Sequence, residues 1–422
     1  MDAYDVVIVG AGPAGSSTAL HLARLAKGLR VAIVERHRLP REKPCGGAVS
    51  RWGLDVLESL DVPISSLGVD AVPITAIRVR HRDQVGEHVA AKGTSLGAVV
   101  RRDRFDAALA HRAIDAGATL MQGARVVALQ WRGDRWAVSI SGERGGEVRT
   151  LHARIVVGAD GTGSAVRRLL PFDEAGPRAR LVVLETEELA SDDVGRDDGG
   201  VIEFDLTPVD HGIDGYVWHF ATKIDGARMV SRGIYDWRAR RPGDAGVLRA
   251  TLVKLLRARG VDASRVRFKP YTERVFAGTS GRLAFEDGVL LVGEAAGLVD
   301  PVTGEGIAQA LASGGVAART IAESLQGIGG ARIDADRYAH AIRQLHCVGH
   351  LRQALSLAPH VYGKRGSLWA GALAACPAAI EAGVDWYVGE KLGFARKAKV
   401  GAALALRAAS LVTRGGAPAS RE

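Results

Sequence analysis

The residues best placed to do chemistry begin near the start of the chain. Gly10-Ala11-Gly12-Pro13-Ala14-Gly15 spells G-x-G-x-x-G, with an apolar β-branched run before it (Asp5 to Gly10) and an Ala/Leu helical pattern after it, to about Lys27. A second apolar run, Arg30 to Glu35, ends in an acid at about the 20-residue spacing of a dinucleotide site. In that setting Gly10 permits the tight turn, Gly12 lets a pyrophosphate approach the helix N-terminus, and Gly15 lets the helix pack on the strand. Glu35 would accept from ribose hydroxyls and repel a 2′-phosphate, which favours FAD or NAD. An ordinary glycine turn is the bland alternative; strand, helix and acid together argue against it.

Further along, Tyr216, Trp218 and Phe220 alternate with His219, so on a regular strand the aromatics share one face and His219 takes the other. The aromatic row either lines an apolar channel or is core, and His219 is expected at the surface. The three cysteines, Cys45, Cys347 and Cys376, stand far apart with no C-x-x-C, so no disulfide framework, zinc site or other metal centre is expected. Cys347 and Cys376 read as buried helix residues.

The elements that must position these residues can be read from periodicity. Asp5 to Glu35 is a βαβ unit. A Pro/Gly-rich stretch follows from Pro40 to Gly47, then helical spacing from Val49 to Leu60 and alternating strands from Ala71 to Ala91. Val99 to Arg102 and the helical pattern Phe105 to Ala116 return to the first domain, Arg125 to His152 reads as a hairpin meander, and Ile155 to Gly158 is a third buried strand. Leu181 to Asp236 alternates as an antiparallel sheet, and Val247 to Arg259 is a helix closed by Gly260. Val289 to Gly293 is a strand and Gly306 to Leu325 a helix. Beyond residue 330 the chain is helical and Ala/Leu-rich, with no internal repeat.

Three motifs in order decide the cofactor. After the glycine turn come Ile155-Val156-Val157-Gly158-Ala159-Asp160-Gly161, with Ser164, Val166 and Arg167 following, and Val292-Gly293-Glu294-Ala295-Ala296-Gly297. This set resembles the flavoprotein hydroxylase superfamily, and so implies FAD. Two stretches then resemble the geranylgeranyl reductase family: Pro40-Arg41-Glu42-Lys43-Pro44-Cys45-Gly46-Gly47-Ala48-Val49-Ser50, and Gly297-Leu298-Val299-Asp300-Pro301-Val302-Thr303-Gly304-Glu305-Gly306-Ile307. Tyr216-Val217-Trp218-His219-Phe220-Ala221 is similar to its Y-x-W-x-F-P motif. Glu294 stands where the superfamily usually has Asp, and Ala221 where the family has Pro. Aromatic hydroxylases usually carry His at the Gly297 position and halogenases Trp at the Tyr216 position, so those branches fit less well.

The resemblance covers roughly the first three quarters of the chain. It implies a Rossmann-like α/β FAD-binding domain of the GR2 type (1–70, 97–170 and 276–328), an inserted antiparallel β-sheet substrate domain (71–96 and 171–275) and a helical C-terminal region (329–422). It assigns the cofactor to Gly10, Gly12, Pro13, Ala14 and Gly15, to Glu35 and Arg36, and to Cys45, Gly46, Gly47 and Ala48. Arg102 and Val126 join them, with Asp160, Gly161, Gly293 and Glu294, and finally Pro301, Gly304, Gly306 and Ile307. The catalytic candidates are Cys45, Tyr216 and Trp218. Cys45, on a loop the family places beside the flavin, could poise the ring, act as a redox-linked thiol, or fill a gap.

The activity so implied is saturation of isoprenoid carbon–carbon double bonds. Nothing in an isolated alkene stabilises delivered electron density, so a proton must accompany hydride from reduced flavin N5, in a dry site. Tyr216 and Cys45 are the candidate acids, a thiol of ordinary pKa being protonated at neutral pH. The electron donor is NAD(P)H, ferredoxin or another reductase. The rival readings are an FAD monooxygenase or halogenase-like enzyme acting on a bulky secondary metabolite, and a flavin-binding sensor or carrier.

Composition bounds the rest. With 47% hydrophobic and 24% charged residues, the chain of 422 is neither disordered nor a coiled coil. The N-terminus lacks a secretory pattern, and Gly366 to Ile380 falls short of the roughly 20 residues of a membrane span. A cytoplasmic protein is expected. The net charge of +9 favours anionic partners such as phospholipid surfaces, so peripheral membrane contact is an expectation beside that of a plain helical cap. Arg101, Arg102 and Arg104 sit beside opposite charges and no basic block is interleaved with aromatics, which argues against nucleic acid.

Overall fold

The computed structural model describes residues 2–142, 145–172, 178–184, 188–189, 195–196, 199–237, 244–262, 268–278, 281–326, 332–363 and 366–415. Parts of the strand-rich stretch expected over 181–236, at 185–187, 190–194 and 197–198, lie outside the described residues.

The N-terminal runs form parallel strands Ala3–Val9 and Val31–Glu35, with Val6 opposite Val31 and Val9 opposite Val34. They are apolar on both faces because both faces are covered: Val6, Val7 and Ile8 are fully buried. The sheet runs in the order Ala284–Phe285, Val289–Leu291, Val148–Gly158, Ala3–Val9, Val31–Glu35, Thr119–Gln122. Strand Val148–Gly158 serves twice. Its first half closes the meander with Ala124–Trp131 and Trp136–Gly142, which covers one face of the sheet, and its second half pairs in parallel with Ala3–Val9. Helices Pro13–Leu25, Arg102–Asp115 and Ile307–Gln326 cover the other face. The first and last of these approach closely because the contact is built from small residues. A Cβ at Gly314 would lie 2.8 Å from the Ala14 carbonyl oxygen, and Ser17 Oγ donates to the Leu311 carbonyl at 2.7 Å.

The second sheet runs Phe268–Arg274, Arg178–Leu184, Ala227–Asp236, Gly215–Ile224, Gly199–Asp205, Ala71–His81, Gly97–Val100, Ala48–Ser50. It is antiparallel except where Gly199–Asp205 and Ala71–His81 run parallel. Strands Ala48–Ser50 and Gly97–Val100, which the boundaries above place with the cofactor domain, hydrogen-bond into this sheet and tie the two halves together.

The two faces of strand Gly215–Ile224 meet different environments. Tyr216, Trp218 and Phe220 pack with Tyr235 against helices His346–Tyr362, Gly366–Ala374 and Pro377–Val388, through Tyr362, Ala370, Val384 and Tyr387. The C-terminal quarter therefore roofs the aromatic row. The opposite face carries Val217 and Ile234 against Leu248, Leu252 and Leu256 of helix Asp244–Ala258. His219 lies on that face as the alternation requires, but it is not at the surface: it is 1% exposed, contacts Arg232, and stands opposite Glu203 in the neighbouring strand. Burial, then Arg259, Arg232 and Arg80, hold its imidazole neutral, well below its usual pKa.

Cys347 is buried in its helix, but Cys376 is buried at the break between two helices. Pro377 explains the break, because it lacks the N–H that would continue the preceding helix and fits a first helical position. No single helix among the described residues is long and apolar enough to cross a membrane.

Candidate functional site

The carboxyl ends of the parallel strands converge, as such sheets require of a ligand crevice, on a cavity partly open to solvent. The first strand delivers Val9 and Gly10, the second Val34, Glu35 and Arg36, and the third Ala159, Asp160 and Gly161. Gly10 takes φ +108°, and a Cβ there would lie 2.5 Å from the Ala159 carbonyl oxygen. At Gly15 a Cβ would lie 2.0 Å from the Gly10 carbonyl oxygen. Gly12 is different in kind. A Cβ there would meet nothing nearer than Arg41, at 3.5 Å, so its missing side chain leaves space in the cavity itself. Helix Pro13–Leu25 begins at this point with no side-chain cap and no acid in its first turn, leaving its N–H groups available to an anion.

One wall is a chain of paired charges. Glu35 is 4% exposed, accepts from the Ala11 and His37 amides at 3.0 and 3.1 Å, and lies 3.5 Å from Arg41. Arg41 also reaches Asp106 at 3.2 Å, and Asp106 takes both arms of Arg102 at 2.9 and 3.0 Å. Arg102 in turn lies beside Cys45. Burial disfavours its charge, yet Asp106 and Cys45 hold Arg102 above the usual arginine range.

The facing wall comes partly from the second sheet. Lys43 Nζ sits 3.7 Å from the centre of the Tyr271 ring and 3.7 Å from Glu294. Burial opposes its charge, but Glu294, Tyr271 and Glu273 keep it protonated beyond the usual lysine range. Glu294 accepts from the Arg274 amide at 3.2 Å, so its additional methylene relative to Asp carries the carboxylate to the second sheet. Glu273 is 7% exposed, and its Oε2 has no hydrogen-bond partner. Burial and then the Glu294 charge push its pKa up to about 7, against the pull of Lys43 and Arg102.

Asp160 Oδ2 accepts from the Ala165 and Val166 amides at 2.5 and 3.3 Å, while the buried Oδ1 has no partner. Burial raises the Asp160 pKa. At the far end Gly304, Gly306 and Ile307 line the cavity where helix Ile307–Gln326 starts, again with no acid in its first turn.

Of the residues expected at the cofactor, Gly10, Gly12, Pro13, Ala14, Glu35, Arg36, Cys45, Arg102, Val126, Asp160, Gly161, Glu294, Gly304, Gly306 and Ile307 line this cavity. Gly15, Gly46, Gly47, Ala48, Gly293 and Pro301 stand behind it. Tyr216 and Trp218 do not reach it either. They are 5% and 2% exposed in the core of the second sheet, so the aromatic face is a packed row and not an open channel. The row nevertheless touches the site from behind. A Cβ at Gly46 would lie 2.8 Å from the Phe220 ring and 3.3 Å from Trp218 Nε1, which is buried without a partner. Tyr216, Tyr235 and Tyr362 donate to the carbonyls of Thr303, Pro301 and Val302, suspending that loop from their rings. Burial raises the Tyr216 pKa well above its usual value, so its proton stays on that bond.

Arg41, Lys43, Asp106, Tyr271 and Glu273 were not singled out by sequence reasoning. Arg41 and Lys43 fall inside the Pro40–Ser50 stretch, and charges in so Pro/Gly-rich a loop were the available signal. A separate group, Glu203, Asp205 and His219, brings ligand-type atoms within 4.8 Å of one another, but Arg259 donates to both carboxylates and supplies the cation there.

The donor set fits FAD. The ribose acceptor at Glu35, the uncapped helix N-termini, the open space over Gly12 and the unpaired oxygen of Asp160 match an adenosine, a diphosphate and a polyol in turn. The comparisons agree. The chain matches the FAD binding domain family over residues 3–346, which makes it an FAD-dependent oxidoreductase. A digeranylgeranylglycerophospholipid reductase of Methanothrix thermoacetophila is 33% identical over 336 residues, 76% of this chain and 78% of that one. The chain belongs to the geranylgeranyl reductase family within the flavoprotein hydroxylase superfamily. Among solved structures, a geranylgeranyl bacteriochlorophyll reductase-like protein of Thermoplasma acidophilum matches with a TM-score of 0.66 at 22% identity, covering 98% of each chain. A flavin-dependent brominase matches with 0.67 at 16% identity, covering 98% of this chain and 99% of that one. At these identities the structural likeness shows the fold alone.

Proposed function

We propose that this protein saturates carbon–carbon double bonds of an isoprenoid lipid, with NAD(P)H or ferredoxin as the source of electrons. The reading rests on the reductase relative that spans 76% of the chain, and the site supports it. Reduced FAD, when bound, supplies hydride. Glu35, the N-terminus of helix Pro13–Leu25 and Asp160 hold the cofactor, with Arg102 and the Gly304–Ile307 turn at its far end. The Cys45-Gly46-Gly47 loop and the aromatic row behind it exclude water. Glu273 holds the proton that an alkene requires: it lines the cavity, its Oε2 is uncommitted, and its raised pKa keeps a proton on the carboxyl near neutral pH. Tyr216 positions the Thr303 loop, and Trp218 packs against Gly46.

The test is anaerobic. Holoenzyme reduced with dithionite and given a geranylgeranylated glycerolipid should yield product with two hydrogens added per bond, by mass spectrometry. A protein that leaves the lipid unchanged under argon and inserts oxygen or halogen only in air is instead a monooxygenase or halogenase, the activity of some proteins that share the fold.

A further inference from the structure

The last helix, Phe394–Gly415, has one side the rest of the molecule does not use. Val400, Leu404, Ala408 and Leu411 turn inward, and the helix packs against Gly366–Ala374 and Pro377–Val388. On the other side Phe394, Ala398, Ala402, Ala405, Ala409 and Val412 are all exposed, at intervals of three and four that set them in one stripe. Leu406 lies at its edge. Exposures of 89% for Phe394, 74% for Leu406 and 60% for Val412 are far above what a soluble surface usually gives such side chains. The stripe carries no charge.

The charges of the helix are of one sign. Residues 394–415 contain five Lys or Arg and no Asp or Glu. Arg396 is paired inward with Glu381 and Asp385, at 3.1 and 2.5 Å, whereas the exposed Lys399 stands beside the stripe with no ion pair among the described residues. A second copy of the chain docked stripe to stripe would set like charge against like. An uncharged apolar stripe on a helix whose charges are all positive matches the headgroup region of an anionic bilayer, where the aliphatic groups sink to the acyl boundary and the cationic groups meet phosphate.

We infer that helix Phe394–Gly415 docks the protein on an anionic phospholipid surface, apolar stripe inward. The helices beneath it roof the aromatic row through Ala370, Val384 and Tyr387, so the docking face lies one helical layer from that row. The inference does not require the reductase reading, because it concerns where the protein sits and not what it reduces.

The test uses the full-length holoprotein and sedimentation with vesicles of phosphatidylcholine alone or mixed with phosphatidylglycerol. Wild type should pellet with the mixed vesicles and not with the neutral ones, and salt should weaken the binding. Leu406→Glu with Val412→Glu should weaken it about tenfold or more, and Lys399→Glu by a smaller factor, at unchanged FAD content and circular dichroism. Wild type that stays in the supernatant with mixed vesicles, or folded variants that bind them as wild type does, would overturn the inference. So would a wild-type dimer in sedimentation velocity that Leu406→Glu alone dissociates, since a second copy would then cover the stripe.

Discussion

The two charged walls of the cavity differ in one respect that separates their roles. On the nucleotide wall, two carboxylates and two guanidiniums alternate, Glu35, Arg41, Asp106 and Arg102, each acid against a base. On the facing wall, Glu273 and Glu294 share the single ammonium of Lys43. The balanced wall has fixed charge and is suited to holding a ligand in register. The unbalanced one has a carboxylate too many for its environment and accommodates it by keeping a proton near neutral pH. On the proposed reading, binding falls to one side of the cleft and proton chemistry to the other.

The largest effect should come from the frame under the balanced wall. Gly15→Ala places a methyl against the Gly10 carbonyl, where the ideal Cβ position is 2.0 Å away, and backbone cannot yield as a side chain can. A loss of roughly 3 kcal/mol or more is expected, with FAD content falling to background. Gly12→Ala has room in the protein and intrudes only on the ligand, so it should retain the thermal stability of wild-type apoprotein while losing FAD. Equal loss of stability in both variants would remove the distinction drawn between these glycines.

Next in size is Asp106→Asn, which leaves Arg41 and Arg102 buried against a neutral amide. Side chains exposed by 15% and 9% cannot recover that charge from water, and removing one member of a buried ion network costs roughly 3–5 kcal/mol. Chemical unfolding of the apoprotein measures it. A cost below about 1 kcal/mol would mean that this wall is solvated and not a fixed ladder.

Glu273→Gln should act on the other wall with the opposite sign. A carboxyl whose pKa rises from 4.5 to about 7 on folding favours the native state when protonated. That contribution is present below pH 4.5, is lost as pH climbs through 7, and amounts to something on the order of 3 kcal/mol. The amide cannot ionise, so the variant should be more stable than wild type at pH 8 and less pH-dependent between 5 and 8, while reductive turnover collapses. Parallel stability curves for the two proteins would show that Glu273 titrates as an ordinary carboxylate.

The difference between the walls also explains what could be read without coordinates. The glycine turn and Glu35 were legible because their constraints are local, a backbone turn and a strand end within 25 residues. Glu273, Lys43 and Glu294 are spread over 250 residues and become one group only when the second sheet folds onto the first. Glu273 stands between Lys269 and Arg274 with no motif around it to mark it. His219 misled in the same way, because alternation gives the face a residue takes but not whether a helix such as Asp244–Ala258 covers that face. The helices from His346 to Val388 carry no motif because they pack the aromatic row with Ala and Gly, where many other small residues would serve.

The smallest effect tests whether the aromatic row acts on the cleft by contact or by support. Tyr216→Phe keeps the ring and removes the hydroxyl that donates to the Thr303 carbonyl. One such bond is worth about 1 kcal/mol, and the loop keeps its bonds from Tyr235 and Tyr362. A residue that supports should then give a modest fall in kcat with its pH profile unchanged, since on the proposed reading Glu273 is the titrating group. A residue that itself delivers the proton should give a collapse in kcat as deep as that of Glu273→Gln. The ratio of the two losses, measured on one lipid at one pH, therefore decides which of the two residues holds the acid.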